Sequence, residues 1–448
     1  MKAKLELNDW SYNAGLIGFL RITEKYQKDA LVVQDNYVEF DTEILKEFHK
    51  YYFQYLFETY DIAKTMNKRM DESFDRIKQY LEIESEDKKE LNDAKEKLKR
   101  EKKYIKDNIK KQLDKIKKFD QETANEIQQE YNEIDSIKEK EQLEELENIF
   151  NRVRQYLYKE SINKKLTANL FKSILSNKYF GQPSFLNVVK NSASYEEQMN
   201  LMYKDYVSNI VETGYLKDFI DEKYNLENLK EHIKKLNQEL ITKEMLKIYT
   251  DINKKYIEKG KQANEIKEYI EKNVFKICYL CGNEHCITSN YSESNFLAMA
   301  VSSDNMKNFF WNQKVNYPIC DICKLIMFCI PMGLTTITKL TKNSQKYEEK
   351  DILSFVNYDT DIENLLRTNN NFASKSRKDR YIESPYADLL IDIVEQEKDI
   401  SKCQLENIFV VEIEAEYLAY SRLEYFHITR PVAVFFKDYA DKSLMKIK

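Results

Sequence analysis

The sequence predicts an α+β fold that is predominantly α and is divided into several domains. Its 448 residues include only 7 glycines and 5 prolines, which argues against the many turns of an all-β protein. None of these residues lies between Gly18 and Gly181, so long helices are expected there. Strand-like patterns are short and lie near the two ends of the chain. The length favours two or three compact domains.

The first predicted segment, residues 1–60, combines helices with a short hairpin. Asp9 is a suitable N-cap for a helix that begins with the next residue, because its carboxylate can accept from the first free backbone amides. The apolar patterns of residues 30–33 and 37–40 predict two strands joined by a tight turn. Residues 42–60 are rich in Phe and Tyr and are predicted to be helical.

The second predicted segment, residues 61–180, is a long helical hairpin with charged arms. Residues 88–118 carry 14 Lys or Arg and 6 Asp or Glu, whereas residues 120–147 carry 2 Lys and 11 Asp or Glu. This asymmetry predicts that the basic arm packs along the acidic arm, since opposite charges set the pairing and orientation of helices. The alternative is that the basic arm contacts phosphates, for which the acidic arm would compete.

Three further segments complete the predicted organisation. Residues 181–275 form a helical domain after a turn around Pro183, and residues 276–335 form a cysteine-containing zinc-knuckle region. Residues 336–448 form a C-terminal α+β segment, in which residues 407–414 and 431–436 are expected to be strands.

Overall charge and hydropathy indicate a cytoplasmic protein. The net charge of −5 and the pI of about 5.8 exclude a uniformly basic nucleic-acid binder but leave room for a local basic patch. The N-terminus lacks the apolar core of a signal peptide, and no segment approaches the roughly 20 apolar residues of a membrane span. Because cytosolic thiols remain reduced, the seven cysteines are interpreted as metal ligands or buried thiols before disulfides.

Two C-x-x-C pairs predict a structural zinc site. Cys278 and Cys281 form the first pair, and Cys320 and Cys323 form the second, with 38 residues between the pairs. The two-residue spacing lets both thiolates of a pair reach one tetrahedral ion, and four thiolates leave no open position for catalysis. A redox C-x-x-C and reduced core cysteines remain alternatives.

Nearby side chains leave the exact ligand set open, and the motifs of common enzymes are missing. His285, Cys286 or Cys329 can replace one ligand, although Cys329 lies in an apolar run typical of a buried thiol. The sequence has neither the H-x-E and P-C-x-x-C order of zinc deaminases nor H-E-x-x-H. A zinc-dependent nucleic-acid enzyme is therefore the less favoured interpretation.

The candidate nucleic-acid contacts lie in two predicted loops. Residues 374–381 hold four cations against one acid, so Lys375, Arg377, Lys378 and Arg380 are expected to bind phosphates while Tyr381 stacks on a base. The asparagines at 369–371 suggest that this loop is mobile. In the turn near Pro183, Gln182 and Asn187 are candidates for reading base edges, and the alternative is that they cap and turn the chain. For residues 374–381 the alternative is a solvated loop.

Three motifs together resemble a known family. They are the two cysteine pairs, residues 8–18 (NDWSYNAGLIG) and residues 181–187 (GQPSFLN). The combination is similar to that in the CXXC–CXXC family of large subunits from the type I-B CRISPR interference complex, Cascade. Members of that family usually end in a helical bundle, whereas this sequence ends on strand-like segments.

The resemblance implies a non-catalytic protein in an antiviral complex. Such a subunit joins the other backbone and small subunits at the crRNA, recognises the protospacer-adjacent motif (PAM) on target double-stranded DNA, and supports recruitment of a nuclease-helicase effector. The family's cysteines correspond to Cys278, Cys281, Cys320 and Cys323, with Zn²⁺ as a structural cofactor. The rival interpretation from the residues is a coiled-coil scaffolding protein with a structural zinc site. Neither interpretation requires a membrane.

Overall fold

The computed structural model describes most of the chain and divides it into two compact units. The described residues are 1–27, 30–83, 87–178, 184–186, 194–287, 318–343, 346–358, 360–378, 408–415, 421–428 and 431. The helical unit is Gln54–Ser173, and the cysteine unit combines Met1–Phe53 with Ile174–Lys448.

The described elements confirm a predominantly α, α+β fold. The α-helices are α1 (Trp10–Tyr26), α2 (Phe48–Tyr60), α3 (Ile62–Leu81), α4 (Lys88–Ile116), α5 (Gln121–Glu133), α6 (Leu143–Tyr158), α7 (Glu160–Lys178), α8 (Tyr195–Met202), α9 (Ser208–Ile220), α10 (Leu226–Lys235), α11 (Lys243–Ile252), α12 (Ala263–Tyr269), α13 (Asp321–Phe328), α14 (Ile330–Gly333) and α15 (Ile362–Lys378). The strands are β1 (Lys2–Glu6), β2 (Leu31–Val33), β3 (Tyr37–Asp41), β4 (Thr335–Asn343), β5 (Lys346–Asn357), β6 (Ile408–Ala415) and β7 (Ser421–Ile428). No helix among these is long and apolar enough to cross a membrane.

The N-terminal sheet and helix α1 follow from local signals in the sequence. The predicted hairpin is present as the antiparallel pair of β2 and β3, and β1 adds to the other side of β3, an addition that was not predicted. Asp9 caps α1, as predicted: its Oδ1 accepts from the backbone amides of Ser11 at 2.7 Å and Tyr12 at 3.1 Å. The helix is apolar on most sides and is buried along most of its length, so it forms the centre of this part of the core.

The helical unit is built around the apolar face of α4. Ile105, Ile109 and Leu113 repeat at helical spacing, are buried, and belong to one hydrophobic cluster with residues of α3, α5 and α6. A turn at residues 117–120 joins α4 to α5, and the two helices pack against each other. The acidic arm is not one helix: α5 ends at Glu133, and two short 3₁₀ turns precede α6.

A polar network with a buried carboxylate links α9, α10 and α11 in the cysteine unit. The Glu212 carboxylate accepts a hydrogen bond from the Tyr249 hydroxyl at 2.6 Å and contacts His232 Nε2 at 2.7 Å. Tyr215 stacks on the His232 ring with 3.7 Å between centroids. The buried Glu212 carboxylate is therefore satisfied by two partners, as buried charged groups generally are.

The C-terminal sheet corrects part of the sequence interpretation. Strands β4 to β7 form an antiparallel sheet in sequential order, in which β6 was predicted and β7 was not. Residues 374–378 belong to α15, so they are helical and the prediction of a loop there was wrong. Residues 369–371, which were predicted to lead into a mobile loop, are also part of α15. Asn369 is fully buried, and its amide bonds both backbone groups of Val356, at 3.1 Å and 2.9 Å.

Candidate metal centre

The first cysteine pair lies on a tight turn that glycine makes possible. The Gly282 amide donates to the Cys278 carbonyl at 2.9 Å, and Gly282 has φ of +68°, a conformation that other residues adopt at a cost. Residues Lys276 and Cys286 close the base of the turn through two backbone hydrogen bonds of 2.9 Å. The turn therefore presents the sulfurs of Cys278 and Cys281 on one side.

The second cysteine pair is placed by a helix start. Cys320 is the N-cap of α13, and its Sγ accepts from the Cys323 amide at 3.4 Å. Cys323 is the third residue of α13 and lies close to the Cys320 cap, so the sulfurs of these two residues lie on the same side. The two pairs are joined by backbone contacts, from the Tyr279 amide to the Pro318 carbonyl at 3.0 Å and from the Cys320 amide to Cys278 Sγ at 3.2 Å.

The four sulfurs have the spacing of a tetrahedral metal site. Cys278 and Cys323 lie 4.0 Å apart, Cys281 and Cys320 lie 3.7 Å apart, and all four Sγ atoms lie within 4.8 Å of one another. A tetrahedral ion about 2.3 Å from each sulfur, the zinc–thiolate distance, requires sulfur separations of about 3.8 Å. The donor set and its geometry therefore fit a metal ion that is bound by four thiolates.

The neighbouring candidates are not part of this group. Among the described residues, the metal-ligand group consists of the four cysteines alone. Burial raises the pKa of Cys286 to about 12 and raises the pKa of Cys329 well above its usual value, so both are protonated, buried thiols. His285 Nδ1 instead contacts Asn283 Oδ1 at 3.0 Å. Cys403 lies outside the described residues.

Hydrogen bonding within the group lowers the pKa of both cysteines of the first pair. Hydrogen bonding with the sulfurs of Cys281, Cys320 and Cys323 lowers the pKa of Cys278 far below its usual value. The Cys320 backbone amide lowers it further. A sulfur that is already stabilised as an anion is a ready metal ligand, because binding requires the deprotonated form.

Three separate sequence motifs meet at α13, which carries the second cysteine pair. From the motif at residues 8–18, the Tyr12 hydroxyl lies 3.5 Å from Cys323 Sγ. From the motif at residues 181–187, Phe185 is buried and packs edge-on against Phe328, with 5.5 Å between ring centroids. The motifs that carried the resemblance therefore all contact α13 through their described residues.

Residues 271–335 match a family model described as CRISPR-associated protein (Cas_CXXC_CXXC). This match covers all four cysteines of the site and supports the predicted CRISPR association of the chain. No curated protein and no solved structure matches the chain.

Only three of the predicted nucleic-acid contacts lie within the described residues, whereas all four cysteines of the metal site do. Lys375, Arg377 and Lys378 lie in the last turn of α15, with their backbone described but not their side chains. Gln182, Asn187, Arg380 and Tyr381 lie outside the described residues. Sequence reasoning missed the roles of Tyr12 and Phe185, because a contact across more than a hundred residues leaves no signal in local spacing.

Replacing the hydroxyl of Tyr12 is expected to weaken metal binding while leaving the fold intact. Burial and the neighbouring Cys323 sulfur raise the pKa of Tyr12 well above its usual value, so the hydroxyl keeps its proton and can donate to the thiolate. Tyr12→Phe removes this second-sphere hydrogen bond, which typically costs at least tenfold in metal affinity. Competition with a chromogenic chelator measures the change.

Tyr52→Phe is the matched control for this experiment. Tyr52 is also buried in the cysteine unit, and its hydroxyl donates to the Phe328 carbonyl at 2.9 Å, away from the sulfurs. Both variants are expected to lose about 1 kcal/mol of stability through one hydrogen bond. Equal metal affinity in the two variants would show that Tyr12 has no special part in the site.

Proposed function

We propose that this protein is the non-catalytic large subunit of a cytoplasmic type I-B CRISPR RNA-guided DNA surveillance complex, Cascade. The observation that carries the proposal is the four-sulfur site within the segment that matches a CRISPR-associated family model. The contact of the two other motifs with α13 supports it, since these motifs belong to the same structural unit.

In this proposal the metal is Zn²⁺ and its role is structural. Cys278, Cys281, Cys320 and Cys323 would hold the ion, which supplies four strong bonds between two segments that are distant in sequence. A complete set of four thiolates leaves no position for water or substrate, which argues against a zinc-dependent nucleic-acid enzyme. The protein would instead recognise the PAM on duplex DNA and help to open the duplex, while guide pairing reads the remaining sequence.

A scaffolding protein with a structural zinc site is the second candidate, and the helical unit favours it. Helix α4 is 29 residues long and packs within a bundle of α3, α5 and α6. Such a bundle can organise protein partners without any nucleic acid.

Copurification separates these two functions. The chain is co-expressed with its genomic neighbours, purified through a tag, and any bound RNA is sequenced. We expect CRISPR repeat-derived guide RNA together with backbone and small subunits. A homo-oligomer of protein alone would contradict the proposed function and support the scaffold.

The basic residues between positions 375 and 380, of which 375–378 lie in α15, provide a test of DNA contact. We expect Lys375→Ala, Arg377→Ala, Lys378→Ala and Arg380→Ala, combined, to weaken binding of PAM-containing duplex by the assembled complex. Loss of four phosphate contacts should reduce the slope of log affinity against log salt by about 3 to 4. The slope is measured by titration at several salt concentrations.

The control for this variant removes the same charge elsewhere in the cysteine unit. This control replaces four exposed lysines by Ala, and none of them forms an ion pair among the described residues. They are Lys243, Lys247, Lys254 and Lys259. A slope that is unchanged in the α15 variant, or reduced equally in both, would reject this segment as the DNA contact.

A further inference from the structure

A groove with a strong excess of positive charge lies along α4 in the helical unit. Its volume is about 620 Å³. We call it the lysine groove, because six lysines line it: Lys95, Lys99, Lys102, Lys103, Lys106 and Lys138. Leu98, Tyr131 and two aspartates, Asp107 and Asp135, complete the lining. Six lysines against two aspartates leave an excess of four positive charges.

Only part of this charge is compensated within the unit. Lys106 forms an ion pair with Asp135 and lies over the Tyr131 ring, 4.4 Å from its centroid. Lys102 donates to the backbone carbonyl of Ile137. Four members make neither an ion pair nor a side-chain hydrogen bond within the described part of the chain: Lys95, Lys99, Lys103 and Lys138.

The acidic arm packs on the basic arm through α5, but it does not neutralise the lysine groove. The reason is that the acidic segment is broken: α5 ends at Glu133, and only Asp135 of the following turn reaches the groove. Burial, with the nearby charges of Lys138 and Lys106, lowers the pKa of Lys102. Like charges that are held this close favour a bound counter-anion.

The spacing of the lysines suits a linear polyanion. Lys95, Lys99 and Lys103 are four residues apart, so successive ammonium groups are separated by about 6 Å along the helix axis. The lysines from Lys95 to Lys106 span about 16 Å, over which a strand in B-form geometry presents about five phosphates. A compact anion would contact only some of these lysines at once.

We propose that the lysine groove binds the phosphate backbone of a polynucleotide strand. The charge excess and the spacing of the lysines favour an extended anion. The choice of a polynucleotide over an acidic polypeptide rests on the proposed function. The groove supplies affinity without sequence preference, because its lysines are suited to phosphates and not to base edges.

The test uses the full chain and labelled oligonucleotides in an anisotropy titration. The groove variant combines Lys95→Gln, Lys99→Gln, Lys103→Gln and Lys138→Gln, four lysines whose side chains have no ion-pair or hydrogen-bond partner among the described residues. We expect at least a tenfold loss of affinity at low salt and a salt slope reduced by about 3. Single-stranded DNA, single-stranded RNA and duplex DNA are titrated separately, and the strand that loses most affinity identifies the ligand.

The control variant removes four lysines from the same helix that do not line the groove: Lys88, Lys89, Lys110 and Lys111. It has the same net charge as the groove variant and should retain most of the affinity. Replacement of the four groove lysines by Arg should also retain binding, and unchanged helical circular dichroism shows that the helical unit remains folded.

Several results would overturn the groove as a polynucleotide site. These are equal losses in the groove and control variants, no binding of any oligonucleotide by the unaltered chain at low salt, or equally strong competition by polyglutamate. Failure of the proposed function is distinguishable from failure of the groove. If the chain copurifies in a guide-RNA complex but the groove variant behaves like its control, only the groove proposal is contradicted. If the groove binds oligonucleotides but no guide RNA copurifies, only the proposed function is contradicted.

Discussion

Cys320→Ser is expected to lower the free energy of unfolding of the cysteine unit by more than about 4 kcal/mol, because a structural metal contributes directly to folding. Serine retains the helix cap at the start of α13, since its hydroxyl is a preferred N-cap acceptor. The loss therefore reports on the metal site and not on the helix. Denaturant unfolding measures the change, and elemental analysis should give about one Zn²⁺ per unaltered chain and clearly less in the variant.

Cys329→Ser is the control for this substitution. Cys329 is fully buried in the same unit, and its Sγ–H donates to the Leu325 carbonyl at 3.3 Å, a hydrogen bond that a serine hydroxyl can also make. This change is expected to cost only about 1 kcal/mol and to leave the metal content unchanged. Similar losses in both variants, or no metal in the unaltered protein, would contradict the four-cysteine site.

Gly18→Ala is expected to destabilise the cysteine unit by about 3 kcal/mol or more. An added methyl group would collide with the backbone oxygen of Cys329 and lie 2.8 Å from the backbone nitrogen of Gly333. Both neighbours are backbone atoms, so α1 and α14 must separate to make room. In an unobstructed helix the same change would stabilise by up to about 1 kcal/mol, so the expected sign is set by packing alone.

Gly214→Ala provides the comparison in the same unit. Gly214 is also helical, but the nearest atom to an added methyl group is Thr42 Oγ1 at 3.7 Å, an ordinary contact. We expect this variant to be neutral or stabilised by up to about 1 kcal/mol. Melting temperatures that fall equally in the two variants would show that the close approach of α1 to α14 is unimportant.

Cys320→Ser and Gly18→Ala both change residues in the region where α1 packs on α13 and α14, next to the second cysteine pair. The glycine face of α1 packs on α13 and α14, and α13 carries Cys320 and Cys323. Gly18→Ala should therefore also weaken metal binding, through displacement of the second cysteine pair. The motif at residues 8–18 thus supports the metal centre through packing as well as through Tyr12.

Local patterns predicted what short-range interactions control. The scarcity of Gly and Pro predicted the helical class, and Asp9 predicted the start of α1. Each C-x-x-C pair predicted two thiolates close enough to bind one ion, because caps and cysteine pairs depend on neighbours within a few residues. Contacts between segments that are distant in sequence could be identified only in the folded structure. These contacts join two cysteine pairs across 38 residues and bring Tyr12 to Cys323. They also fix Asn369 of α15 against Val356 of β5, next to a segment where a mobile loop was expected. Within the described part of the chain they also left Lys95, Lys99 and Lys103 without acidic partners, since charge totals along a sequence do not specify which side chains meet.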